Sequence, residues 1–260
     1  MNSLNLAILF KFTNIRRRSL RTISPFYWIL MVVFGGLFLL EAVLLGLNVF
    51  HMQPAWDLNV EKNFPTYFSA TLLASNASLS VLIFLFALVR RLFKHAHPIA
   101  LPGLWLILAM AFAFLAMDEA NEWHERITNV VMDQLGIKGR VSLAFWEVVY
   151  SPFLAMTGGA MALLIIQNRR TAMDFSRTAL VAAILWGVAL VMEYVGLSIV
   201  GGIDEGFKAS YIIEETCEML GSTLFLLASV FLLREYKSGT WKEYHAGALP
   251  ATTPIVEVKV

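Results

Sequence analysis

Six apolar segments, each more than 20 residues long, constrain the fold of this chain more than any other feature of its sequence. They cover approximately residues 27–50, 67–93, 101–125, 143–167, 179–200 and 211–233. A helix of about 20 apolar residues is long enough to cross the hydrocarbon core of a bilayer. With 58% hydrophobic and only 15% charged residues, the chain is also far more apolar than a soluble domain. The sequence therefore predicts an all-α integral membrane protein, a helical bundle with six transmembrane helices.

The basic residues are distributed unequally between the two sides of such a bundle. Six crossings bring both termini to one membrane side, and 15 of the 20 Lys and Arg residues belong to that side. Because basic loops face the cytoplasm, the N- and C-termini are predicted to be cytoplasmic, in a bacterial inner membrane. The predicted domain organisation is a cytoplasmic amphipathic arm (1–24), a six-helix transmembrane domain (25–234) and a cytoplasmic tail (235–260) that is disordered at its end.

Charge and cysteine content exclude several classes of function. The formal net charge is +1, and the basic residues are sorted by membrane side instead of forming one face. The lipid bilayer is therefore an expected partner and nucleic acid is not. The single cysteine, Cys217, excludes an intramolecular disulfide and a CxxC motif. The sequence also contains no phosphate-binding loop, no nucleophile-base triad and no histidine-rich desaturase motif.

An acidic stretch at the end of the third apolar segment is the strongest candidate for a functional site. The segment carries no charge from Leu101 until Asp118, and the next nine residues contain four carboxylates, one histidine and one arginine. In a continuous helix, at about 100° per residue, Asp118, Glu122 and Glu125 would fall within about 60° of one another. This pattern predicts an acidic stripe on one helix face. The alternative interpretation is a helix end that has left the membrane and is solvated.

The predicted topology places further acidic residues at the same depth. The outer ends of the last four spans carry nine carboxylates and one histidine, and their cytoplasmic halves carry none. So many carboxylates out of water need bound cations or shared protons. We therefore predict one metal site near the periplasmic face, on which Glu122, Glu125, Glu147, Glu193 and Glu218 converge. The residues predicted to lie in or just behind its first ligand shell are Asp118, His124, Glu214 and Glu215.

Dinuclear metal sites of helical bundles are the nearest match to this set of ligands. Such sites take a Glu from each of two helices and a Glu-x-x-His motif from each of two others. Glu147 and Glu193 fit the first requirement, but the i, i+3 pairs on the other two helices, among them Glu122/Glu125 and Glu215/Glu218, combine two acids and not Glu with His. Oxygen-rich ligation would suit a divalent metal such as Fe, Mn, Ca or Mg. In a metal-dependent membrane enzyme built on this site, Glu119 would be the catalytic residue that transfers protons.

Two other functions are compatible with the same residues. A cation or proton transporter would place acids across the whole membrane, and Glu41 is the one acid that lies deeper in a span. A non-catalytic membrane subunit or assembly factor would bind a membrane-protein partner through its acidic outer face. In either case Glu41 is expected to face the bundle, because a charge in lipid has no partner. The outer loop 57–69 is predicted to fold over the acidic site as a lid, with an interfacial linker as the alternative.

Three stretches of sequence together resemble known membrane proteins. They are Asp57-Leu-Asn-Val-Glu61-Lys-Asn63-Phe-Pro65-Thr66-Tyr-Phe-Ser69, then Asp118-Glu119 followed by His124-Glu125, and then Glu214-Glu215 with Glu218. The combination resembles a group of uncharacterised bacterial multi-pass membrane proteins over most of residues 50–230. That resemblance implies a multi-pass membrane protein and no assigned activity. The chain does not resemble the alkaline ceramidases, whose zinc needs three histidines, because only His124 is suitably placed here.

Overall fold

The described part of the chain is helical except for a few residues in turns and at helix ends. The computed structural model describes residues 25–49, 58, 63–94, 100–135, 145–195 and 204–238, and none of these residues forms a β-strand. The helices are α1 (Pro25–Val49), α2 (Phe64–Lys94), α3 (Ala100–Asn121), α4 (Trp123–Leu135), α5 (Phe145–Asn168), α6 (Met173–Val195) and α7 (Asp204–Ser238). The predicted arm 1–24 and the end of the predicted tail lie outside these residues.

Of the seven helices that the structure describes, six are long and apolar enough to cross a membrane. They are α1, α2, α3, α5, α6 and α7, whose membrane-compatible segments contain 19 to 27 residues. Such lengths match the thickness of a bilayer core at a rise of about 1.5 Å per residue. The predicted fold class, an all-α multi-pass membrane bundle with six spans, is therefore confirmed. The cytoplasmic position of both termini stays a prediction.

The chain divides into two units, Met1–Leu40 and Glu41–Val260, and the division falls within α1. The described residues of the first unit, 25–40, form an apolar helical segment without a charged residue. The second unit contains the remaining helices and every candidate site residue.

Large aromatic side chains fill the centre of the second unit. Trp105 and Phe112 of α3 pack against Phe175 and Trp186 of α6 and Phe225 of α7, with ring centroids 5.2 to 6.2 Å apart. Aromatic pairs at this separation stabilise a fold beyond their buried area, by about 0.5 to 1.5 kcal/mol each. These contacts hold α3 against both α6 and α7.

Helices α6 and α7 approach each other very closely at Gly221. A Cβ atom added at Gly221 would lie 2.7 Å from Cδ1 of Trp186 and 3.2 Å from the carbonyl oxygen of Ala182. The Trp186 indole N–H donates a hydrogen bond to the backbone oxygen of Glu218 (3.2 Å). Because Ala182 faces Gly221 and Trp186 reaches Glu218, the two helices run antiparallel. A residue without a side chain permits this close backbone approach, as is common between membrane helices.

Hydrogen bonds fix the start of α2 and the turn between α5 and α6. Asn63 caps α2, since its Oδ1 accepts a hydrogen bond from the backbone N–H of Thr66 (3.2 Å). The carbonyl oxygen of Asn168 accepts from the backbone N–H of Ala172 (2.8 Å), which closes the short turn between α5 and α6. These caps satisfy backbone groups that a helix end would otherwise leave without partners.

The third span differs from its predicted form. The sequence predicts one helix from residue 101 to about residue 125, but α3 ends at Asn121 and α4 begins at Trp123. Glu122 between them has a φ of 55°, in the left-handed region. Its backbone N–H donates to the Asp118 carbonyl (2.7 Å), a bond typical of a left-handed helix end. The continuous acidic stripe is therefore wrong, because Glu125 belongs to a separate helix.

Helix α7 is longer than the span predicted at residues 211–233. It begins at Asp204, seven residues before the predicted span, and continues to Ser238, four residues into the predicted tail. Tyr236 is buried, so this last turn packs against the bundle.

The predicted orientation can be measured with reporter fusions. A reporter that is active only in the periplasm is expected to be inactive when fused after Leu233, because the basic residues hold that side in the cytoplasm. The same reporter inserted between residues 136 and 144 is the control and is expected to be active. An active fusion after Leu233 would contradict the predicted orientation.

Candidate functional site

Glu215 is the acidic residue around which the structure brings other acids together. Its carboxyl interacts electrostatically with the carboxyls of Glu119 on α3 and of Glu214 and Glu218 on α7. A side-chain hydrogen bond also joins it to Tyr211, whose hydroxyl is the donor. We call these four glutamates the Glu215 group. Two helices therefore contribute to it, and both carry residues of the predicted site.

Asp118 lies next to Glu119 in the sequence but interacts with a different helix. It is buried, and its carboxylate interacts electrostatically with the Tyr150 hydroxyl on α5. Neighbouring residues of a helix point about 100° apart, which explains how α3 directs Glu119 towards α7 and Asp118 towards α5. Phe114, one turn before Asp118, packs on the Tyr150 ring with centroids 5.5 Å apart. The end of α3 is thus held between two other spans.

Glu122 forms an ion pair across the break between α3 and α4. Its Oε2 lies 3.9 Å from Nη2 of Arg126, whose side chain is largely exposed. Exposed pairs at this separation contribute about 0 to 1 kcal/mol. The pair draws the Glu122 carboxylate towards the first turn of α4, whereas Glu119 interacts with α7.

The register of α6 against α7 fixes the level of Glu193. Ala182 faces Gly221, so Glu193, eleven residues further along the antiparallel helix, lies level with Ser210. At about 1.5 Å per residue, Glu193 is offset along the bundle axis by about 12 Å from Glu218 and by about 6 Å from Glu214. If Glu193 and Glu218 shared a site, their side chains would have to bridge the offset of about 12 Å between them. Their convergence stays a prediction.

The predicted metal site also stays a prediction. Among the described residues, no group of three or more His, Cys, Asp or Glu side chains has an arrangement that would hold a metal ion. The side chains of three predicted ligands, His124, Glu125 and Glu147, lie outside the described part of the chain. The catalytic role of Glu119 is likewise a prediction.

Glu41 faces the bundle, as the sequence predicts. It is 3% exposed and accepts a hydrogen bond from the Thr223 hydroxyl on α7. The prediction that this carboxyl avoids lipid is therefore confirmed. A buried carboxyl in a membrane span is an expensive feature, which makes it a candidate for function.

The predicted lid, residues 57–69, is described in part, since residues 57 and 59–62 lie outside the described part of the chain. Residues 64–69 of this stretch form the start of helix α2. Leu58 is buried and donates its backbone N–H to Oδ1 of Asn48 (2.8 Å), and Asn63 caps α2. The lid over the acidic site stays a prediction.

Helix α4 lies mostly between two of the predicted apolar segments, 101–125 and 143–167, and was not predicted from the sequence. Trp123, Ile127, Val130 and Val131 follow the i, i+4, i+7, i+8 spacing of an amphipathic helix, and Ile127 and Val130 are exposed. A short amphipathic helix at the end of a span, with exposed apolar residues, is typical of the membrane interface. The period of about 3.6 residues was the signal that could have identified it.

A family model described as a domain of unknown function, DUF8692, matches residues 28–233. The chain belongs to this family. The match begins in the first turn of α1 and ends within α7, so the DUF8692 domain includes all six spans and the Glu215 group. No curated protein and no solved structure matched the chain significantly. Family membership fits the resemblance to uncharacterised proteins and leaves the function to be argued from the site.

Proposed function

We propose that this multi-pass membrane protein binds a divalent cation at the Glu215 group. The observation that carries the proposal is the electrostatic contact of one carboxyl with three others from two helices, at the end of two membrane spans. Like charges so close together in a partly dehydrated place repel one another unless a cation or protons offset them. A cation between α3 and α7 would offset that repulsion and link the two helices.

The chemistry of the donors narrows the class of cation. The Glu215 group offers only carboxylate oxygens, which suit hard ions such as Mg²⁺, Ca²⁺ and Mn²⁺ better than soft ones. Fe²⁺ would be favoured more strongly if His124 joined the ligands. The residues proposed to complete the ligand set are Asp118, Glu122, His124, Glu125, Glu147 and Glu193.

The predicted orientation of the bundle decides on which side of the membrane the proposed site lies. With both termini in the cytoplasm of a bacterium, the Glu215 group lies near the periplasmic face of the inner membrane, as the 15 basic residues on the opposite side favour. A bound metal would supply an activated water there, and Glu119 would transfer protons to or from it. In this form the protein is a metal-dependent membrane enzyme.

Metal analysis of purified protein tests the proposal. We expect protein equilibrated in detergent with Mn²⁺ and then dialysed to retain the metal in a fixed ratio, and Glu215→Gln to lose most of it. Asp174→Asn is the matched control, because Asp174 is an exposed acid in the first turn of α6, at the other end of that helix from Glu193. The proposal would be contradicted if the wild-type protein retained none of the four metals after this treatment, which is repeated with Mg²⁺, Ca²⁺ and Fe²⁺ in place of Mn²⁺. A subunit that binds a partner through its acidic face would then be the better account.

Proton or cation transport is a second candidate, and one observation favours it. Glu41 is buried within a span, away from the Glu215 group, and transporters use buried acids of this kind to bind or relay ions.

A further inference from the structure

Four polar residues from three helices form a buried layer deeper in the bundle than the Glu215 group. The Thr223 hydroxyl donates to Glu41, and Nδ2 of Asn76 donates to the backbone oxygen of Ser222 (2.9 Å). All four residues are between 0 and 3% exposed. Because Ser222 and Thr223 are adjacent on α7, Glu41 of α1 and Asn76 of α2 lie at the same level of that helix. We call these four residues the Glu41 layer.

Two oxygen atoms of the Glu41 layer accept no hydrogen bond from any described residue. They are Oε2 of Glu41 and Oδ1 of Asn76, and both are buried. A buried acceptor without a donor costs about 1 to 3 kcal/mol, and more if it carries charge. A hydrogen-bond donor or a cation at these two oxygens would therefore remove this cost in free energy.

Two buried hydroxyl groups near the Glu41 layer also have no hydrogen-bond partner among the described residues. Ser80, one turn from Asn76 on α2, and Ser229, two turns from Ser222 on α7, have buried hydroxyl groups with no partner among the described residues. By contrast, the less buried Ser78 on α2 donates to the carbonyl four residues earlier (2.9 Å), the usual way a serine is satisfied in a helix. Ser80 and Ser229 thus extend the polar interior along α2 and α7.

The titratable groups around the layer contain no cation that would offset a charge on Glu41. Glu41 is the only charged residue of α1. The part of α2 within two turns of Asn76 has no titratable residue, and the nearest one is Tyr67, about two and a half turns away. On α7 the nearest titratable residues are Glu218 and Cys217, about 7.5 and 9 Å along the axis from Thr223.

The helices packed on α7 add no buried cation at this level. At the end of α3 the charged residues are Asp118 and Glu119, both acids. In α6, Arg177 is exposed, Asp174 is exposed at the start, and Glu193 and Tyr194 lie at the far end. A charge on Glu41 would therefore lie in a span without a buried counter-ion among these helices, at a cost of about 2.5 to 3.5 kcal/mol on insertion scales.

We propose that Glu41 binds and releases a proton inside the membrane-spanning part of the bundle. A proton on Oε2 of Glu41 removes the negative charge, and Oε2 then no longer needs a hydrogen-bond donor. Oε1 keeps the hydrogen bond that it accepts from the Thr223 hydroxyl. The proton comes from water and returns to water, and no other bond is made or broken. Because Glu218 lies about 7.5 Å from this level along α7, a proton that enters from the predicted outer side would pass the Glu215 group first. The proposal does not depend on metal binding at that group.

Infrared difference spectroscopy of the protein in lipid vesicles tests this site. As the pH is lowered, the wild-type protein is expected to gain a carbonyl band of a buried protonated carboxylic acid that Glu41→Gln lacks, whereas the carbonyl bands of the other acids are expected to remain in the variant. Glu215→Gln is expected to keep it, which separates this test from the metal proposal. Identical pH-difference spectra for wild type and Glu41→Gln would overturn the inference. Loss of the band on adding Na⁺ at constant pH would also overturn it, in favour of a sodium site.

A second variant keeps the test informative if Glu41→Gln does not fold. Thr223→Val retains the carboxyl but removes its hydrogen-bond donor, so the band is expected to persist at a shifted frequency. Ser78→Ala, a less buried serine of α2 bonded within its own helix, is the control and is expected to leave the band in place. An unshifted band in Thr223→Val would contradict the assignment to Glu41.

Discussion

Gly221→Leu is expected to prevent stable folding of the bundle. A Cβ at this position alone would lie 2.7 Å from the Trp186 ring, and leucine adds three further carbon atoms to the same contact. The Ala182 carbonyl, at 3.2 Å, is backbone and cannot move aside without displacing α6. Overpacking of this kind costs about 3 kcal/mol or more when the backbone has to shift. The measurement is the yield and thermal stability of the variant in detergent.

Two controls connect that loss to the contact between α6 and α7. Gly159→Leu on α5 is expected to change stability little, because no atom lies within 4 Å of a Cβ added there. Gly221→Ala is expected to be destabilising on its own and much less so when combined with Trp186→Phe, whose smaller ring leaves room for the methyl group. Equal effects of Gly221→Ala in both backgrounds would show that Trp186 does not set this approach.

Glu215→Gln is expected to raise the stability of the protein when divalent cations are removed by a chelator. Glutamine keeps an oxygen that can accept from Tyr211, but it removes the repulsion between this carboxyl and those of Glu119, Glu214 and Glu218. Relief of unfavourable charge commonly contributes about 0.5 to 2 kcal/mol. The expected result is a higher unfolding temperature than that of wild type in chelator.

When Mn²⁺ is present, Glu215→Gln is expected to have no higher unfolding temperature than wild type. The reason is that the cation binds and stabilises wild type but no longer binds the variant. Asp174→Asn is the control and is expected to behave as wild type in both conditions, since Asp174 lies outside the Glu215 group. A Glu215→Gln variant that is less stable than wild type in chelator would show that the carboxylate has a structural partner stronger than the repulsion.

A smaller effect is expected at the break between α3 and α4. Glu122→Gly is expected to stabilise the protein by about 1 kcal/mol, because glycine adopts a left-handed backbone without the steric cost of a Cβ. Glu122→Ala separates conformation from charge, since it removes the same carboxylate and keeps the Cβ. Equal unfolding temperatures for the two variants would contradict this explanation.

The sequence was sufficient for features that depend on composition and length. Segments of more than 20 mostly apolar residues predicted the six spans. The cost of a charge in lipid predicted the inward orientation of Glu41. The break at Glu122 could not be predicted in the same way, because a left-handed glutamate is uncommon and no glycine or proline marks the position. The apolar period of helix α4 was not recognised, because the acidic residues before it were interpreted as the end of the third span.

Features that depend on contacts between distant residues were beyond the sequence. Hydropathy locates the end of a span only to within several residues, whereas the contact of Gly221 with Ala182 and Trp186 fixes the register of α6 and α7. The offset between Glu193 and Glu218 follows from that contact. The Glu41 layer likewise depends on a bond between Asn76 and Ser222, 146 residues apart. Neither a period nor a motif in the sequence pairs these residues.

A double-mutant cycle on cation-induced stabilisation tests most directly whether Glu119 and Glu215 share one cation site. The measurement is the increase in unfolding free energy on adding Mn²⁺, which reaches about 2.7 kcal/mol at a hundred times the dissociation constant. We expect Glu119→Gln and Glu215→Gln each to remove most of this increase, and the double variant to remove no more than either one. Wild-type protein that gains no stability with Mn²⁺, Mg²⁺, Ca²⁺ or Fe²⁺, or single losses that simply add in the double variant, would contradict a shared site.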